Sequence, residues 1–229
     1  MADKKMMQDG ESGEVVIARA KDFWEKYGKI LTIASVIVIL AAGGYYIYNE
    51  YVKKPKEKKA GEMMYKAEEY YRMDSVSKAL NGDGQHAGFL KVISQYGGTK
   101  QGKMAEFYAA SCYVKMNDND NALKHLKKFS TSSKPMQARA YKLMADVYAD
   151  KGNFKEAFDY YKKAGKEFEK DEPFSAQCLF LAAYLAQKNL NDPKTAIDIY
   201  KELKDKYPRT QQGYDADSYL AQLGVYNTD

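Results

Sequence analysis

From Ile30 to Asn49 the chain runs for twenty residues without a charge, between Lys29 and Glu50. A helix of that length rises about 30 Å, the thickness of a bilayer hydrocarbon core. Nine of the twenty are Leu, Ile or Val. At about −0.3 to −0.6 kcal/mol each, they contribute roughly −4 kcal/mol towards insertion. Tyr45, Tyr46, Tyr48 and Tyr51 crowd one end, and Trp24, Tyr27 and Lys29 the other, where amphipathic side chains favour headgroup depth. The pattern predicts a transmembrane helix over 30–49. A cleavable signal sequence fits poorly, because its apolar region is usually about 7–15 residues long. Across 14–29, Val16, Ala20, Phe23, Trp24 and Tyr27 recur at spacings of three and four, with Arg19, Lys21, Glu25 and Lys26 largely opposite. That predicts an amphipathic helix lying at the membrane interface. Residues 1–13, with Gly10, Gly13 and scattered charges, predict a disordered tail.

Residues 50–60 read as a basic linker, and Lys53–Lys59 could rest on anionic headgroups. From 61 to 229 apolar residues recur at helical spacing between Gly, Pro and Asn punctuation, and no period-2 strand stands out. A repeat is visible. Tyr141, Met144, Ala145, Tyr148, Gly152, Phe154, Ala157, Tyr161 and Ala164 follow one another with the sizes and spacings of the tetratricopeptide motif. Small Ala145 and Ala157 suit a close helix crossing, the aromatics fill the groove beside it, and Gly152 suits the turn. Ala110, Tyr113, Ala122, Leu126 and Phe129 match more loosely upstream, and Ala196, Tyr200, Leu203 and Pro208 downstream. The downstream turn around Asn189–Pro193 is longer by about two residues. A helix over about Gly61–Ala79 with a second around Phe89–Tyr96 makes a degenerate first repeat, and Tyr214–Leu223 a final cap. The expectation is an all-α protein: one transmembrane helix, then about four repeats and a capping helix.

Charge narrows the function. Lys and Arg number 36 against 31 Asp and Glu, with no sustained basic stripe of the kind nucleic acid requires. The two histidines, His86 and His125, and the two cysteines, Cys112 and Cys178, assemble no zinc, thiol-redox or triad constellation. No glycine belongs to a phosphate loop. The expectation is a protein that is not an enzyme and takes no cofactor, metal, nucleic acid or small-molecule substrate. The cysteines read as small buried residues of helix packing. Partner proteins would meet the concave face built from the first helix of each repeat: Arg139, Lys142 and Asp146 in the strong repeat, Met104, Phe107 and Val114 in the one before. Met104, Phe107 and Val114 suit an apolar segment, unless a preceding helix covers them. Asp146 beside Lys142 disfavours capture of a terminal carboxylate.

ARAKDFWEKYGKILTIASVIVILAAGGYYIY, preceded by an acidic-rich tail and followed by a polar linker and tetratricopeptide units, resembles the YfgM-like ancillary subunits of the bacterial Sec translocon. The aromatic–x–x–x–Gly–Lys entry, Trp24 to Gly28–Lys29, is its most recognisable local piece. The resemblance implies a single-pass bacterial inner-membrane protein with its N-terminus cytoplasmic and its repeats periplasmic. It also implies partners: Sec translocon subunits, a periplasmic prolyl-isomerase-type chaperone and secreted client chains. Flanking charge leaves orientation open. Arg19, Lys21, Lys26 and Lys29 precede the helix, and six lysines follow it within 50–69, which favours a cytoplasmic domain. Long domains, however, translocate largely regardless of charge.

Overall fold

The computed structural model describes residues 2–226, with side chains from Val15 onward; the disordered tail expected over 1–13 lies outside the described side chains. The chain divides into two compact units, 1–55 and 56–229.

The first unit is helix α1 (Ala2–Tyr48) closed by a π-helical turn, Asn49–Lys53. Its apolar window is long enough to cross a membrane, and none of it is buried inside the protein. The two hydroxyls near its start are satisfied within the helix: Thr32 donates to the Gly28 carbonyl at 2.7 Å and Ser35 to that of Leu31 at 2.8 Å. Such internal satisfaction is what a hydrocarbon environment demands. Trp24 lies over Gly28, where an added Cβ would stand 3.2 Å from the indole. The aromatic–x–x–x–Gly spacing is thus a local (i, i+4) fit of ring onto bare backbone.

The second unit is helical throughout, with no strand among the described residues; a lone antiparallel bridge joins Gly82 and Ala87. Its helices are α2 (Lys54–Arg72), α3 (Val76–Asn81), α4 (Phe89–Tyr96), α5 (Lys100–Lys115), α6 (Asn119–Leu126), α7 (Lys134–Asp150), α8 (Phe154–Glu167), α9 (Glu172–Lys188), α10 (Pro193–Lys206) and α11 (Gln211–Gln222). The basic run expected to be a linker is therefore helical. The helix expected near Gly61–Ala79 starts at Lys54 and breaks after Arg72, where Asp74 adopts φ 56°.

Neighbouring helices pack in sequence order: α5 on α6, α7 on α8, α8 on α9, α9 on α10, α10 on α11. Two kinds of corner repeat. Where a first helix ends, one residue turns left-handed directly before the next N-cap: Asp74, Asn117, Gly152 and Asn191. In three of them the following N–H reaches back to a tyrosine carbonyl, Ser75 to Tyr70, Asp118 to Tyr113 and Asn153 to Tyr148, each at 2.9 Å. This is the Schellman closure, and Gly, Asn and Asp tolerate it best. The fourth corner holds four residues between its helices where the third holds three. Its insertion is one residue, not two, and Asp192 donates instead to Ala186.

Where a second helix ends, a hydroxyl or carboxylate stands three residues after an aromatic. Thr99 donates to the Tyr96 carbonyl at 2.7 Å and accepts from Gly102 N–H; Thr210 does the same with Tyr207, at 2.8 Å, and Gly213. Asp171 takes that place after Phe168. At the two threonine corners one side chain both closes the outgoing helix and caps the incoming one, whereas at Asp171 the backbone N–H makes the closure and the carboxylate the cap. Gly102 and Gly213 are required by close approach, since a Cβ on either would overlap the Tyr96 or Tyr207 carbonyl.

These corners hold two apolar clusters. Met64, Ala67, Ala79, Leu80, Phe89, Val92, Ala105, Ala109 and Cys112 knit α2–α5, and a larger cluster runs from Ala110 to Leu220. Small residues mark the crossings: Ala145, Ala157, Ala182 and Ala196 are fully buried. α2 is tied to α5 at both ends. Glu57 accepts from the Lys100 N–H at 2.8 Å, and Lys115 pairs with Asp74 at 2.5 Å. The loop after α3 is fixed to α2 by Asp83, which accepts from Tyr70 Oη at 2.6 Å and from the His86 and Gln85 N–H groups. The Tyr70 bond and those N–H groups hold the Asp83 carboxyl far below the usual range.

Candidate partner-binding face

The accessible residues of the first helices fall at spacings of three, four and three. In α7 they are Arg139, Lys142, Asp146 and Ala149; in α9, Gln177, Phe180, Tyr184 and Gln187; in α11, Gln211, Tyr214, Ser218 and Ala221. Arg139, Gln177 and Gln211 line one cleft, so the rows are contiguous across three helices. The α9 and α11 rows were not assigned from sequence; the 3–4–3 spacing of accessible positions finds them.

Lys142 and Asp146 are spent on each other, 3.0 Å apart, and Tyr161 donates to Asp146 at 2.7 Å. Burial and that bond together raise the Tyr161 phenol well above its ordinary range. Lys142 is therefore neutralised within its own helix. On α5, Met104, Phe107 and Val114 are half-buried and packed against the larger cluster. The Phe107 ring stands 5.5 Å from that of Phe129 at the end of its own repeat, while Met104 also packs against the cluster that includes α2. Ser111 donates to the Phe107 carbonyl at 2.9 Å. The apolar part of the face continues instead on α9 and α11. Phe180 contacts Tyr219 edge-on at 4.9 Å and Tyr200 at 6.1 Å, while Tyr184 and Tyr214 are exposed, Tyr214 at 80%.

A different surface forms away from that row, where α7 meets its neighbouring second helices. Tyr148 and Tyr160 stack at 5.5 Å, with Lys127 over the first ring and Lys163 over the second. Each such cation–π contact contributes about 0.5–1 kcal/mol at exposed sites, and these lysines serve the fold.

The residues expected at the membrane interface, Trp24, Tyr27, Lys29, Tyr45, Tyr46 and Tyr48, are all exposed on α1. Of the two histidines, His125 is buried with Nδ1 2.5 Å from Glu106 and its ring stacked on Tyr113; it pins α6 to α5 and faces no opening. Cys112 and Cys178 are buried and unbridged, and burial pushes both thiols up to about 12. No group of three or more His, Cys, Asp or Glu is placed to hold a metal among the described residues.

Residues 21–178 match the tetratricopeptide repeat-like domain family, and residues 177–210 a tetratricopeptide repeat. No curated protein matches the chain. The first match begins within α1, and the second covers the α9–α10 pair with its lengthened corner. Repeats of this class are protein-interaction modules, which suits an accessible row of mixed aromatic, amide and charged side chains. With its helix pairs, its small residues at the crossings and more than half its length matched, the chain belongs to the tetratricopeptide repeat-like domain family.

Proposed function

We propose that the protein is a membrane-anchored scaffold or co-chaperone, held by α1 in the bacterial inner membrane with its repeats in the periplasm. There it assists secreted or envelope proteins beside the Sec translocon, together with a periplasmic prolyl-isomerase-type chaperone. The observation that carries the reading is the joining, in one chain, of an unburied apolar helix with internally satisfied hydroxyls to a tetratricopeptide-type unit. Trp24 over Gly28 at the entry to that helix supports the resemblance to YfgM-like subunits. Mild-detergent purification followed by mass spectrometry is the test. Enrichment of Sec subunits is the expected result, and their absence sinks the translocon assignment.

A second reading is favoured by the lysines from Lys53 to Lys59. Under it, the same unit faces the cytoplasm as a scaffold, or as a structural subunit of another envelope assembly complex. Protease added to intact spheroplasts separates the orientations. Digestion of 60–229 is expected for the periplasmic arrangement, and protection would establish the cytoplasmic one.

A further inference from the structure

The cleft shared by α7, α9 and α11 has a volume of about 620 Å³, within the range of about 300–1,000 Å³ usual for ligand clefts. Arg139, Phe174, Gln177, Arg209, Gln211 and Gln212 line it. The chain has only four arginines, Arg19, Arg72, Arg139 and Arg209, among 36 basic residues, and two of them meet here. Both are exposed, and neither makes a hydrogen bond or ion pair among the described residues. Three lysines of α7, α8 and α10 behave differently: Lys142, Lys166 and Lys206 are each paired with a carboxylate. Asp171 also borders the cleft, but its carboxylate accepts from the Phe174 N–H at the start of α9.

We propose that this cleft binds an acidic, extended segment of a partner protein. The proposal rests on reading the helix-A row as a protein-binding face, and assigns the chemistry of one end of it. Guanidinium forks match carboxylates in a way that ammonium groups do not. Side-chain amides of Gln177 and Gln212 both donate and accept, as a peptide backbone requires, while that of Gln211 already donates to Asp215 at 2.8 Å. Phe174 supplies an apolar contact for the methylene stems of acidic side chains. The other large cleft in this part of the unit, beside Tyr141, mixes Lys162, Lys163 and Lys166 with Asp159 and Glu167, and so offers no comparable unmatched pair.

Fluorescence anisotropy on the detergent-solubilised full chain tests this, using a short labelled peptide of alternating Glu and Ala against its Gln counterpart. The Glu peptide is expected to bind about tenfold more tightly, with the preference falling as salt rises. Arg139→Gln and Arg209→Gln should each weaken it about fivefold, as loss of one exposed charge pair implies. Together they should erase the preference with the circular dichroism melt unchanged, while Lys201→Gln, an equal change of charge elsewhere, leaves it intact. Equal binding of the two peptides, a preference that survives the double substitution, or inorganic phosphate binding as tightly as the Glu peptide overturns the proposal. Failure here can be told from failure of the scaffold reading. Sec subunits that still co-purify with the double variant, while the Glu preference is absent from the wild-type chain, remove only this inference. Their absence from the wild-type purification, with the Glu preference present, removes only the scaffold assignment.

Discussion

Gly213 and Gly102 stand where no side chain fits, each facing a carbonyl of the helix that has just ended. The constraint is backbone against backbone, so relaxation must move a whole corner. Gly213→Ala is expected to lose about 1–3 kcal/mol or more by overpacking, whereas Gly98→Ala, with open space around it, should change the melt little. Denaturant unfolding of the full chain compares the two. At Gly152 the demand is conformational instead: φ is 75° with nothing nearby, and a Cβ in that region costs about 1–2 kcal/mol. The buried thiols offer a pH test. Cys112 and Cys178 move from an ordinary value near 9 up to about 12 because burial disfavours the thiolate. The native state therefore holds their protons more tightly than the unfolded chain. Their contribution is fully present below pH 9 and is lost between about 9 and 12. Melting temperature should fall across that window, and both thiols should resist alkylation at neutral pH until the protein unfolds.

Helices in the second unit are also held at their ends. α2 shows this most directly, because its Glu57 carboxylate receives the first-turn N–H groups of α5, a capping role supplied from another helix. Glu57→Ala is expected to cost about 1 kcal/mol and to speed amide exchange over Lys100 and Gln101, with little change in α9–α11; exchange mass spectrometry reads both. The sequence shows the amphipathic helices clearly, and the tetratricopeptide spacing of α7–α8 was legible outright. The start of α2 was not. Lys53–Lys59 resembles a solvated run by composition, and only burial of Ala60, packing of Met64 and Ala67 with α5 and the Glu57 contact show that the helix begins earlier. The Thr99 and Thr210 corners were also hidden. A threonine three residues after a tyrosine is unremarkable until both of its hydrogen bonds are seen.

The second unit gains stability by stacking, each pair burying its apolar face on the next, so its last member matters out of proportion to its size. α11 covers Tyr200 and Leu203, which are fully buried, and contributes Ala216 and Leu220. Gln211, Tyr214, Asp217 and Ser218 of α11 are all exposed. Removing residues 211–229 would open that aromatic layer to water. The expected result is a lower unfolding midpoint and concentration-dependent association, measured by calorimetry and light scattering, while circular dichroism keeps its helical form. A midpoint equal to that of the full chain would show that the stack ends at α10.

What the sequence determined by itself was whatever depends on local order: the uncharged stretch of 30–49, the helical periodicity, and the size alternation at Ala145 and Ala157. These follow from spacing along one helix, and spacing is written directly in the chain. Tertiary structure alone decided which side chains remain available for binding. Lys142 and Asp146 were named from their repeat positions, yet each is engaged by the other, and Tyr161 comes from the next helix to complete the group. Phe107 was read as open surface or as core beneath α2, and it lies half-buried against Phe129. Arg139 and Arg209 are seventy residues apart in the chain, and they share a cleft because three helix starts are brought side by side. Charge pairing and juxtaposition are properties of distance in space, which periodicity does not encode.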